Sequence, residues 1–325
     1  MLKRLLHYLG ILVALGVFAA AVWVLQHTLR DLKWDALMWQ LGEIPRSHVA
    51  LSLVFTVAAY LILTVYDTTA FAYIGRHLSY IRVAFVSFLS YAFSHSLGFG
   101  GVTGGAVRYR FYTSWGVKPI DIAKVVVFGG AAYFLGAFAV AGVLVLVNEG
   151  EFGHVTGLPA WALTVFGVLC IVAGCLYVVW SAAGRPSIRM AGMNMPPPPL
   201  WIPFAQLAVA CMEWSFASAA LYWLLPTGIG IDYWHFIGIF VVAYLSGMIS
   251  HVPGGLGVFE SVVILLLPEG VPREGVIAAI ITYRAVYFVL PLLLAAVMFG
   301  VYEVRQGHVH MANIARFLRR RRQGR

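Results

Sequence analysis

The chain has 325 residues, of which 61% are hydrophobic and 11% charged, with a mean hydropathy of +0.86 and a net charge of +9. Soluble globular domains carry about 25% charged residues, so this composition excludes a soluble enzyme and points to a polytopic membrane protein of all-α class. The positive balance is then a matter of topology and anionic lipid headgroups rather than of nucleic-acid binding.

In chain order, Lys3-Arg4 precede an apolar run over 5–25. That run is longer than the core of a secretory signal, and it reads as a retained first span. An exterior loop follows, closing a first segment, 1–48. Further runs long enough to cross lie at 49–74, 125–147, 160–183, 201–225 and 275–302, giving six full spans in a single integral membrane domain. Cys170, Cys175 and Cys211 all fall inside these runs and read as packing residues, with no disulfide or metal-ligand spacing.

Two more apolar runs, 83–115 and 234–267, are each broken by glycine: Gly98-Phe99-Gly100-Gly101-Val102-Thr103-Gly104-Gly105 and His251-Val252-Pro253-Gly254-Gly255-Leu256-Gly257. Backbone that leaves the helical path inside a bilayer must be buried in protein or line a watery cavity. Paired breaks in two halves are the sequence mark of a transport site. The charges fix how these runs sit. Arg76 and Arg82 precede the first run and Lys118 and Lys124 follow it, whereas Asp232 precedes the second and Glu269 and Glu274 follow it. Both runs are therefore expected to be re-entrant hairpins that return to the side they left, opposed across the membrane. Both termini are then cytoplasmic. All but five of the 22 Lys and Arg fall at the inner face; Arg30, Lys33, Arg46 and Arg273 lie outside and Arg284 within a span. One unit, 49–147 with its hairpin 83–115, and a second, 201–302 with its hairpin 234–267, have the layout of an inverted repeat around the connecting span 160–183. Pro196-Pro197-Pro198-Pro199 reads as a stiff linker between them, and 303–325 as a basic cytoplasmic tail that touches anionic inner-leaflet lipids.

Ionisable residues at membrane depth are costly, about 2.5–3.5 kcal/mol each on insertion scales, and mark function or a buried pair. Asp67, Arg108, Arg110, Glu213, Glu260 and Arg284 are the candidates. Asp67 and Glu213 read as charge partners, and Arg284 needs an acid, with Glu260 or Glu213 available. Around Arg108, the glycines Gly100, Gly101, Gly104 and Gly105 can form a backbone nest for an anion, and the following helix adds the positive end of its dipole. A close glycine-mediated helix contact is the alternative. Arg108 and Arg110 lie about 200° apart on a helix, so only one faces the nest; Arg108 is assigned there and Arg110 to the headgroup level. At the second break, Pro253, Gly254, Gly255 and Gly257 permit an unwound turn, with Glu260 one turn beyond. Glu260 can meet a cationic headgroup, take a proton beside His251, or pair with Arg284.

These residues resemble the lysylphosphatidylglycerol synthase transmembrane family, also called flippase-like. The similar stretches are Ser87 to Phe93, Gly104 to Tyr112, His251 to Glu260 and Tyr283-Arg284. The layout is similar to stand-alone bacterial inner-membrane members of the YbhN type. In multidomain relatives the region is fused to a soluble synthase and implicated in moving the modified lipid between leaflets. No synthase domain follows Arg325, so the resemblance implies translocation alone, with no enzymatic activity, cofactor or metal. It also implies a role for Gly104, Gly105, Arg108, Tyr109, Arg110, Pro253 to Glu260 and Arg284 in handling phospholipid headgroups. The sequence expectation is a multi-pass lipid translocase of the bacterial inner membrane. Its rivals are a proton-coupled transporter of a small anionic or organic solute, an enzyme acting on lipid headgroups, and a non-transporting envelope partner. Glycine-rich surfaces are compatible with a homo-oligomer.

Overall fold

The computed structural model describes residues 34–305 apart from 98–99, 148–152, 154–158, 185, 191, 229, 251 and 269. The expected first span, His251, Gly98-Phe99 and the Arg-rich tail lie outside the described residues. The remainder is helical apart from one small hairpin, so the chain is an all-α polytopic membrane protein.

Five helices are long and apolar enough to cross a bilayer: α2 (Arg46–Tyr73), α5 (Pro119–Val147), α6 (Ala160–Ala182), α7 (Trp201–Tyr222) and the helix beginning as α10 (Arg273–Arg284) and running to Arg305. They coincide with five of the six expected spans. Each broken run forms two helices joined by an elbow, α3 (Tyr80–Leu97) with α4 (Gly100–Ser114), and α8 (Tyr233–Ile249) with α9 (Val258–Leu266). α3 starts three residues before the expected hairpin and is roughly 27 Å long at 1.5 Å per residue. The first arm is thus longer than its apolar run alone requires.

The contacts at the helix ends establish that the hairpins oppose one another. On one face, Arg76 pairs with Asp121 (3.2 Å), Arg110 with Glu303 (2.8 Å), and the Tyr73 hydroxyl donates to the Pro196 carbonyl (2.7 Å). On the other face His48 packs against Trp223 (5.7 Å), and Leu37 clusters with Ile277 and Ala278. The first hairpin is rooted at the former face and the second at the latter. α2 and α7 run antiparallel as the most extensively packed pair. Their shared surface, with Tyr60, Leu63, Tyr66, Ala210 and Trp214, is the centre of the core. Asp232 caps the second hairpin's root, accepting from the His235 backbone N–H (2.9 Å). That hydrogen bond and the adjacent imidazole hold its carboxyl below its ordinary range.

Two elements lie outside the expected runs, and one expectation needs correction. The loop between the first and second spans contains a helix, α1 (Trp34–Glu43), which docks Leu37 on the start of α10. Before the proline run, β1 (Ile188–Met190) and β2 (Met193–Met195) pair antiparallel, and Met193 and Met195 reach the core. Cys170 is buried against Gly142 of α5, but Cys175 and Cys211 are exposed on span surfaces, so only the first of the cysteines packs as expected.

Candidate site where the elbows meet

The two elbows touch. A Cβ on Gly254 would lie 3.5 Å from the Ser96 carbonyl and 3.8 Å from that of His95, so the tip of the second hairpin rests on the end of α3. Between them is a cavity of about 450 Å³, within the size range of small-molecule sites. Gly101 and Val102 line it from the first elbow and Val252, Gly254 and Gly255 from the second. Polar groups on the wall are few: Tyr91, Ser94 and His95 on α3, Arg108 on α4, Tyr133 on α5 and Tyr244 on α8. Val102 and Phe134, which also line it, are exposed on the outer surface, and Phe134 sits near the middle of span α5. The cavity therefore has an apolar rim at membrane depth.

The elbows are built differently. In the first, α4 begins at Gly100, so Gly101, Gly104 and Gly105 are helical and form no unwound nest. Gly104 instead permits close helix contact: a Cβ there would overlap the Ser94 hydroxyl and come within 3.2 Å of the Ser90 carbonyl. That is the alternative reading of this glycine run. What remains for an anion is the positive end of the α4 dipole, since Gly101 and Val102 in its first turn line the cavity.

Arg108 is 6% exposed and holds Asp67 in a bidentate pair, Nε to Oδ2 at 2.8 Å and Nη2 to Oδ1 at 2.7 Å. Tyr112 donates to the same carboxylate (2.9 Å), and the guanidinium lies 4.9 Å from the Tyr91 ring centroid. The geometry is the fork-to-fork arrangement that favours Arg over Lys. Asp67 engages only the Nε and Nη2 donors, and Arg108 also lines the cavity. Tyr109 and Arg110 face outward, as the 200° spacing requires, with Arg110 on Glu303.

In the second elbow the chain unwinds. Gly254, Gly255 and Gly257 have φ of 62°, 61° and 83°, in the left-handed region that only glycine adopts readily. Glu260 restarts the helix: one carboxylate oxygen accepts from the Gly257 N–H (2.7 Å) and the other from Arg284 Nε. Arg284 also donates to the Gly254 carbonyl (2.9 Å), and its charge lies over Phe259 and Phe288. Glu260 and Arg284 thus brace the elbow from behind, and neither lines the cavity.

Sequence reasoning did not single out Tyr91, Ser94, His95 and Tyr244 within the two broken runs, nor Tyr133 within the span 125–147, as cavity-lining groups. It also missed a π-helical turn over Ala285–Val289. Pro291 lacks the N–H that would bond the Tyr287 carbonyl, and the Tyr60 hydroxyl supplies a donor instead (3.2 Å). Ser96 donates to the neighbouring Phe288 carbonyl (3.3 Å), tying the first elbow to this turn. Pro291 was the visible signal.

Residues 11–295 match the family model described as the lysylphosphatidylglycerol synthase TM region. The chain belongs to this family. It is 30% identical over 290 residues to an uncharacterized protein, slr0712, of Synechocystis sp., covering 89% of this chain and 90% of that one. Similarity to the inner membrane protein YbhN of Escherichia coli is 27% over 312 residues, covering 95% and 94%. A phosphatidylglycerol lysyltransferase of Staphylococcus haemolyticus is 26% identical over 301 residues, 91% of this chain but 34% of the enzyme. The chain thus spans about a third of the lysyltransferase and nearly all of the first two.

Proposed function

We propose that this protein is a lipid translocase, moving a phospholipid or modified phospholipid between the leaflets of the bacterial inner membrane. The observation that carries the reading is the cavity at the meeting of two opposed elbows, with a sparse polar lining and an apolar rim at membrane depth. A headgroup needs a polar station inside the bilayer, while its chains can stay in lipid. A second cavity of about 480 Å³, walled by Leu53, Val57, Phe88, Leu290 and Leu294 among others, lies between α2, α3 and the π-helical turn and offers apolar room beside the first. The remaining Arg108 donors and the first turn of α4 suit a phosphate. The relative named as a phosphatidylglycerol lysyltransferase supports the same class of substrate, and the inner membrane relative supports the location. The cytoplasmic placement of both termini rests on the charge bias.

The rival proton-coupled solute transporter relied on Glu260, whose two oxygens are engaged within the elbow. The test is to plug the cavity. Gly129 and Gly130 line it, and a Cβ at either meets no atom within 4 Å, so Gly129→Leu or Gly130→Leu projects into empty space. In proteoliposomes both variants should remain folded and lose leaflet exchange of a fluorescent phospholipid. Undiminished exchange by the folded variants would sink the proposal.

A further inference from the structure

Glu213 sits on α7 at 2% exposure, in a span, and no Arg, Lys or His pairs with it among the described residues. The other two acids at this depth are neutralised, Asp67 by Arg108 and Glu260 by Arg284. Glu213 Oε2 has no hydrogen-bond partner either. A charged, unpaired carboxylate in that position is strongly disfavoured, since neither solvent nor a cation offsets its desolvation.

Phenols from five helices gather beside this part of α7: ring contacts join Tyr66 to Tyr91 and Tyr133, Tyr133 to Trp214, Trp214 to Tyr244, and Tyr287 to Tyr60 and Tyr283, and the Tyr287 hydroxyl is placed to donate to the Glu213 carboxyl. α6 contributes Tyr177, which is turned toward Gln206 (2.7 Å) instead. The hydroxyls of Tyr66 and Tyr283 and the Trp214 indole N–H are buried without acceptors. Unfilled donors in the same region as a buried carboxyl oxygen without a partner are rare in native interiors and call for an explanation. Tyr133 and Tyr244 also line the cavity, and Trp214 packs on both rings at 5.5 and 5.2 Å.

We propose that Glu213 is the proton-binding group of this protein, loaded in the conformation seen and discharged when the cavity changes occupancy. Glu213 does not itself line the cavity, so on discharge its O–H breaks and the proton is relayed through the Tyr133 or Tyr244 hydroxyl, which accepts one proton as it gives another to water in the cavity. The carboxylate left behind then takes hydrogen bonds from the phenol and indole donors that now lack acceptors. On reloading, a proton from the aqueous phase restores the O–H. Transport would thereby be coupled to a proton gradient through Glu213, not through Glu260 and His251. This deepens the translocase reading and rests on it only for the coupling; the proton site itself stands apart.

The experiment is infrared difference spectroscopy of the purified full chain in lipid, titrated from mildly acid to mildly alkaline pH, beside phospholipid exchange in proteoliposomes with and without a pH gradient. The wild type should show a protonated-carboxyl C=O band that disappears as pH rises, and Glu213→Gln should lose it. In proteoliposomes Glu213→Gln should also remove any dependence of exchange on the gradient. Tyr287→Phe, which keeps the ring and deletes one donor, should shift the band's midpoint to higher pH. A titrating band that persists in Glu213→Gln, a wild type with no such band, or an unmoved midpoint in Tyr287→Phe would overturn the assignment. Loss of the band in Glu213→Gln together with no lipid exchange by the wild type would leave the proton site in place and remove the translocase reading.

Discussion

The two elbows share a sequence signature, a glycine-rich break with an ionisable residue soon after it, yet they are held by different forces. The first stays helical up to its turn: Gly104 lets α3 and α4 approach, and the charge of Arg108 is absorbed by Asp67 on another helix. The second unwinds through three left-handed glycines, and its charges, Glu260 and Arg284, act as cap and brace on its own backbone. Glycine in a membrane segment can thus mean close packing or irregular backbone, and the flanking charge does not tell which. What distinguishes them is the proline. Pro253 has no N–H for the Ile249 carbonyl, and α8 ends at Ile249.

The difference can be tested by substitution. Arg108→Ala strands a buried Asp67 and should cost about 3–5 kcal/mol, measured as reduced thermal stability in detergent, together with loss of lipid exchange. Adding Asp67→Asn should restore much of the stability without restoring exchange, which separates the pair's role in folding from its place at the cavity. Gly104→Ala should cost about 1–3 kcal/mol by forcing α3 and α4 apart, and Ser94→Ala in the same chain should relieve part of it. Gly254→Ala meets no hard overlap but must hold a left-handed backbone, at about 1–2 kcal/mol. If the Gly104 variant were harmless and the Gly254 variant severe, the contrast between packing and unwinding would be misplaced. Arg110→Ala removes an exposed pair with Glu303 and should change stability by less than about 1 kcal/mol.

A last, smaller effect concerns the root of the second hairpin. The Asp232 carboxyl is held below its ordinary range by the His235 N–H, so its capping is complete above the unfolded-state value and is lost as pH falls through the folded one. Amide-exchange protection at Tyr233 to His235, relative to the intrinsic rate at each pH, should fall on acidification, and Asp232→Ala should abolish that dependence.

The sequence by itself determined the class, the five described spans, and the presence of two opposed hairpins, because hydropathy and the distribution of Lys and Arg are set by the bilayer and read residue by residue. It also bounded the partner of Arg284 to two acids and separated the faces of Arg108 and Arg110 by helical angle alone. Tertiary structure alone decided that Asp67 is the partner of Arg108, that Glu260 rather than Glu213 takes Arg284, and that Tyr133 and Tyr244 reach the cavity. Those choices depend on which faces of helices distant in the chain are turned together. Hydropathy carries no information about that, since lipid-facing and buried positions of a span are equally apolar.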